Sequence, residues 1–193
     1  MKKNKGFTLI ELIIALALTL VVIGVASTFF ISTMKTFKRA EMSSKLQGEA
    51  EQIESLLLTV GTQSEGIEEV NDLNITSAEK RDYRGSLSVD GKLETNKVKF
   101  KLLNEYYTLE KKNEKLIGKK YNSAGVEISE AGYPKILSEN ISEFNIRPLD
   151  FRMNEDGSLY EMKAMEINVI LKDVKGRSDV EVPFSLIIKF RNK

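Results

Sequence analysis

The chain has 193 residues, 41% apolar and 30% charged, enough for one sizeable core and short for two full-size domains. Its 29 basic and 28 acidic side chains leave a formal net charge of +1, so no global field gathers nucleic acid or an acidic substrate. With neither Cys nor His it has no disulfide, no thiolate nucleophile, no sulfur-ligated zinc and not the commonest general base at neutral pH.

Residues 1 to 6, Met-Lys-Lys-Asn-Lys-Gly, form a basic head, and from Phe7 to Met34 the one charged residue is Glu11. The 25 residues from Phe7 to Ile31 make a helix of about 37 Å, against a hydrocarbon core of about 30 Å. A transmembrane segment is expected. A cleaved secretory signal is one alternative, with Lys2, Lys3 and Lys5 as its basic region and Gly24, Ala26 and Ser27 near a cut. Against it, the apolar run exceeds the usual ~7–15 residues and continues through Phe29, Phe30 and Ile31. A plain uncleaved anchor is the other, and it leaves Glu11 without a purpose, since an acid within a spanning helix is costly unless it has a partner.

Lys5-Gly6-Phe7-Thr8-Leu9-Ile10-Glu11-Leu12 resembles the prepilin signature of type IV pilins and of the pseudopilins of secretion and DNA-uptake machines. The resemblance lies in the short basic leader ending in Gly, the Phe directly after it, the Glu four positions on and the apolar helix that follows. It implies that prepilin peptidase cuts between Gly6 and Phe7 on the cytoplasmic side and that the new Phe7 amine is methylated. It implies that Glu11 forms an assembly salt bridge with the terminal amine of a neighbouring subunit; pairing of Glu11 with its own Phe7 amine is the alternative. Partners implied are other pilin or pseudopilin subunits, prepilin peptidase, the pilus assembly platform and the membrane. Residues 1–6 are then a leader peptide, 7–60 a long helix with 7–31 transmembrane, and 61–193 an α+β globular body. Basic residues flank the apolar run on both sides, so orientation also comes from the resemblance: a single pass in the cytoplasmic membrane with the body outside, then an extracellular pilus or pseudopilus. Cleavage removes three Lys, leaving 26 basic against 28 acidic side chains and a net −2.

From Met42 an apolar stripe at Leu46, Ala50, Ile53, Leu57 and Val60 follows the 3.6-residue period, with Glu41, Lys45, Glu49, Glu51 and Glu54 elsewhere on the wheel. No Pro precedes Pro134, and where many major pilins carry a helix Pro this chain has Thr28. One helix from about Phe7 to Leu58 is predicted, stopped by Gly61, its second half packed on a sheet.

Thr62 to Arg84 is acidic, lacks periodicity and reads as a connecting loop with room for a short helix. Asp90-Gly91 marks a hairpin within Ser86 to Glu94. Val98, Phe100 and Leu102, then Tyr107 and Leu109, then Leu116, Gly118 and Tyr121, predict an antiparallel meander. Lys97, Lys99, Lys101, Lys111, Lys112, Lys115, Lys119 and Lys120 outline a basic strip, with Tyr106, Tyr107 and Tyr121 as stacking residues for nucleic acid. Glu105, Glu110 and Glu114 interrupt that charge, so solvated strand faces are preferred. Ile136 to Ile146 reads as a turn running into a strand that ends near Pro148. Met165, Ile167, Val169 and Leu171, with Val182, Phe184, Leu186, Ile188 and Phe190, predict a long hairpin turning at Lys175-Gly176, with Asp156-Gly157 in the preceding loop. This block, with its Phe190-Arg191-Asn192 ending, resembles minor pilins and pseudopilins of the J or W type.

Asp150, Glu155 and Asp156 lack calcium-loop spacing and read as solvated loop; no metal site and no cofactor motif is found. The fold class expected is α+β and pilin-like, a long N-terminal helix packed on an antiparallel sheet body, and the chain is not expected to be an enzyme. The function expected is that of a minor pilin or pseudopilin subunit. Alternatives are a DNA-binding subunit of a competence uptake pseudopilus and a subunit of a type II secretion pseudopilus.

Overall fold

The computed structural model describes residues 8–74, 91–129, 132–153, 159–173 and 178–191. Gly6, Phe7, Asp90, Glu155, Asp156-Gly157, Lys175-Gly176 and Asn192 lie outside the described residues. The chain forms two compact units, Met1–Glu41 and Met42–Lys193. Among the described residues one helix, α1, covers Leu9–Gln63, and the other regular elements are antiparallel strands.

In the first unit α1 carries no charged residue from Leu12 to Met34, and Leu9, Val21 and Phe29 are among its exposed side chains. Its hydroxyls satisfy themselves along the helix: Thr19 donates to the Ala15 carbonyl at 2.8 Å, Ser27 to Ile23 at 2.8 Å, and Thr33 to Phe29 at 2.9 Å. Thr28 donates to both Gly24 and Val25 carbonyls at 3.2 and 2.8 Å, and the helix continues through it. Such internal pairing is what hydrocarbon demands of polar groups.

In the second unit α1 buries Leu46, Ala50, Ile53, Leu57 and Val60, the stripe read from sequence, with Met42 half-buried beside it. Each fully buried Leu or Ile of this kind contributes about 1.5–3 kcal/mol. Gly61 does not stop the helix, which runs to Gln63. It is buried, and a Cβ there would overlap the Ile188 side chain, so the glycine admits a strand against the helix.

The strands are β1 (Gly66–Val70), β2 (Leu73–Asn74), β3 (Leu93–Glu94), β4 (Lys97–Lys101), β5 (Glu105–Lys112), β6 (Lys115–Asn122), β7 (Lys135–Ser138), β8 (Ile141–Met153), β9 (Leu159–Lys172) and β10 (Glu181–Lys189). They form a six-stranded sheet ordered β2-β1-β4-β5-β6-β7 and a four-stranded sheet ordered β10-β9-β8-β3. Val98, Phe100 and Leu109 from the first sheet join Ile146, Ile167, Leu171 and Ile188 from the second in one core with the helix stripe.

Three expectations are corrected. The segment after the helix is not all loop: β1 pairs with β4, and a bulge between Ile67 and Glu69 brings Ile67 opposite Phe100 and Val70 opposite Val98. That bulge breaks the period of two, which hides the strand from its sequence. The strand through Ile146 does not end at Pro148, which pairs with Met165 while β8 continues to Met153. Among the described residues β3 meets β8 at Asn145 and Ile146 and does not reach Pro148, as suits a residue with no N–H to donate. Tyr107 is buried to 1% exposure and is not a stacking residue. The long hairpin is as read: Val182, Phe184, Leu186 and Ile188 lie opposite Leu171, Val169, Ile167 and Met165.

Candidate functional site

The first turn of α1 carries the chemistry. Thr8 precedes the helix and Glu11 is its third residue, the spacing of a capping box. The Thr8 backbone N–H and hydroxyl both donate to Glu11 Oε2 at 2.9 Å, while the Glu11 N–H donates to Thr8 Oγ1 at 3.4 Å. The Leu12 N–H closes the first helical bond on the Thr8 carbonyl at 3.3 Å. Sequence reading missed this role of Thr8, although Thr-x-x-Glu before an apolar run is its signal. The carboxylate thus has a local partner on its own chain and remains exposed at the helix end. It needs no burial to persist there, because the positive end of the helix dipole favours an anion. Of the predicted site residues Glu11 is placed; Gly6 and Phe7 fall outside the described residues.

Six of the eight lysines of the basic strip have an acidic partner. Lys97 pairs with Asp72, Lys99 with Glu69 at 3.0 Å, Lys101 with Glu65 at 3.7 Å, Lys115 with Glu139 at 2.6 Å, Lys119 with Glu110 at 2.9 Å and Lys120 with Glu105 at 4.0 Å. The Asp72 hydrogen bond raises the Lys97 pKa above its ordinary value, and the Glu110 bond does the same for Lys119. Lys111 donates to the Ser142 carbonyl at 2.6 Å. Three of these acids come from Glu65 to Asp72, so the apparently unstructured acidic segment is the counter-charge of β4. Exposed pairs of this sort stabilise by only ~0–1 kcal/mol each, but they leave little net field to hold a phosphate backbone.

Among the described residues no three acidic side chains converge as a metal site would require. Helix length and composition over Leu9–Gln63 suffice to cross a membrane.

Residues 1–27 match the family described as the prokaryotic N-terminal methylation motif. Over that segment the chain is prepilin-like, with the leader, Glu11 and most of the apolar run inside the match. No curated protein and no solved structure matches the chain.

Proposed function

We propose that this chain is a minor pilin or pseudopilin, cut between Gly6 and Phe7 by prepilin peptidase, methylated at Phe7 and assembled into a type IV pilus or pseudopilus. The observation that carries the reading is a coincidence along one segment. The methylation motif at residues 1–27 ends within a helix long and apolar enough to cross a membrane, whose large apolar side chains up to Phe37 are exposed. A helix so apolar needs lipid or other helices around it, and a subunit that moves from membrane to filament meets both. Glu11 supplies the charge that aligns a neighbour's terminal amine. Residues 61–193 form the exported body, and residues 7–31 the membrane span. A minor rather than major subunit is favoured by the long body, the J/W-like C-terminal pattern and the absence of a helix Pro.

Quantitative mass spectrometry of sheared surface fibres and of the membrane fraction tests this. A trace of protein beginning at Phe7 in the fibres is expected for a minor pilin, and the processed form confined to membranes for a pseudopilus. An intact Met1 or Lys2 terminus in both fractions rejects the reading.

A further inference from the structure

After the uncharged run from Leu12 to Met34, Lys35, Lys38 and Arg39 follow within five residues. All three are exposed, and none makes an ion pair among the described residues. The lysines of β4 differ, since each of them has an acid. Spaced i, i+3 and i+4 along α1, the three cations share one face of the helix.

Their level along the helix follows from the span. With the hydrocarbon ending at Ile31, a rise of ~1.5 Å per residue puts Lys35 about 6 Å and Arg39 about 12 Å beyond it. The headgroup layer on each side of a bilayer is about 5–8 Å deep. Helical side chains lean toward the helix N-terminus, here the membrane side, so the long stems at Lys38 and Arg39 bring their charges back toward the phosphates. Phe37 lies in the same turn and is 65% exposed, an apolar ring suited to the boundary between headgroups and acyl chains. With the body exported, these cations also run against the general bias of Lys and Arg toward the cytoplasmic flank. Three of them on the other flank need a counter-charge there.

We propose that Lys35, Lys38 and Arg39 form a binding site for anionic phospholipid headgroups in the leaflet on the exported side, and that this contact fixes the depth of α1 in the membrane. Lys and Arg beside an anionic membrane surface attract it additively, and three on one face within a turn act on the same patch of lipid. The inference rests on the membrane span proposed above and gives its outer end a ligand. A subunit leaving the membrane for a fibre has to give up these contacts, so the site opposes its departure.

Electron paramagnetic resonance of trace spin-labelled lipid tests the site. The full chain carries Lys2→Gln, Lys3→Gln and Lys5→Gln throughout, so that the leader makes no headgroup contact of its own. It is reconstituted into phosphatidylcholine vesicles with either spin-labelled phosphatidylglycerol or spin-labelled phosphatidylcholine, and the lipid fraction immobilised at the protein is compared. Phosphatidylglycerol is expected to be preferred at least about threefold at low salt, and less as salt is raised. Adding Lys35→Gln, Lys38→Gln and Arg39→Gln should bring the ratio to about one, whereas Lys35→Arg, Lys38→Arg and Arg39→Lys should keep the preference. No preference before these substitutions, or one that the glutamines leave unchanged, overturns the lipid site. Alkaline carbonate extraction of cell membranes separates that failure from failure of the span. A chain that resists extraction yet shows no preference keeps the membrane reading and loses this site, and a chain that is released loses both.

Discussion

Glu49 of α1 holds Asn140 at the junction of the two sheets: both carboxylate oxygens lie 3.1 Å from Asn140 Nδ2, and Ser138 Oγ donates to the same carboxylate at 2.6 Å. Asn140 is buried at the turn from β7 to β8, and its carbonyl accepts from the Lys172 N–H of β9 at 2.8 Å. One carboxylate on the helix therefore ties the last strand of one sheet to the first long strand of the other. Glu49→Ala leaves a buried amide and a buried hydroxyl without their acceptor, which costs about 1–3 kcal/mol per group. A loss of about 2–4 kcal/mol is expected in urea unfolding of the full chain in detergent, with Glu49→Gln losing less because its amide oxygen still accepts. Equal losses for the two variants would deny the carboxylate oxygens this role.

Tyr107 of β5 and Gly118 of β6 test the packing between neighbouring strands. The Tyr107 hydroxyl is buried and lacks a hydrogen-bond partner among the described residues, and a Cβ at Gly118 would overlap it. Burial and the neighbouring Tyr133 raise the Tyr107 pKa above the ordinary 10.0, so the hydroxyl stays neutral. Removing it frees space and an unmatched donor. Tyr107→Phe is expected to leave stability unchanged or raise it by up to about 1 kcal/mol. Gly118→Ala should cost about 1–3 kcal/mol by overpacking. The double variant should recover much of that loss, and simple additivity in a double-mutant cycle would show that the two sites do not share the space.

What is legible in this sequence is what repeats locally. The helix stripe and the β9–β10 hairpin follow unbroken periods, so Leu46 to Val60 and Met165 to Ile188 fall where the pattern puts them. What is not legible depends on distant chain. Ile67 and Val70 are three apart, and only the bulge opposite β4 places both in the core. Gly61 carries the signal of a helix end, yet its small size serves Ile188, a contact that tertiary packing alone supplies. Glu49 reads as a solvated position on the wheel, because nothing near it in sequence announces Ser138 or Asn140. At the N-terminus the motif marks Glu11 by its spacing from Phe7, while its bond to Thr8 is equally local and readable.

Glu166 gives the body a response to acid. The Ser185 hydroxyl donates to Glu166 Oε1 at 2.7 Å and the Arg147 guanidinium lies against Oε2, and these bonds hold the carboxyl below its ordinary 4.5. A group depressed in the folded state stabilises fully above its unfolded value and loses that contribution as pH falls through the folded one. Ser185→Ala removes the larger cause and brings the folded value back toward 4.5. The wild type should therefore exceed the variant in stability at neutral pH, with the gap closing at acid pH below the folded pKa of Glu166. Urea midpoints across that range check this, and a gap that widens on acidification would contradict the assignment.

The Thr8–Glu11 box makes it possible to separate the observed capping role of Glu11 from the inter-subunit role proposed for it. Capping requires an oxygen at Glu11 that accepts from Thr8, and glutamine supplies one; pairing with a neighbour's amine requires the charge, and glutamine lacks it. Glu11→Gln is expected to keep the first turn folded, with the amide of Leu12 as protected from exchange as in the wild type, and to be cut at Gly6 normally. It should nonetheless fail to enter fibres. Glu11→Ala should lose both properties, and Thr8→Val should lose protection of the Glu11 amide while still reaching fibres at reduced yield. Hydrogen exchange by mass spectrometry and subunit abundance in sheared fibres give the two readouts independently. If Glu11→Gln assembles as well as the wild type, the carboxylate serves the helix end alone and the inter-subunit salt bridge is excluded.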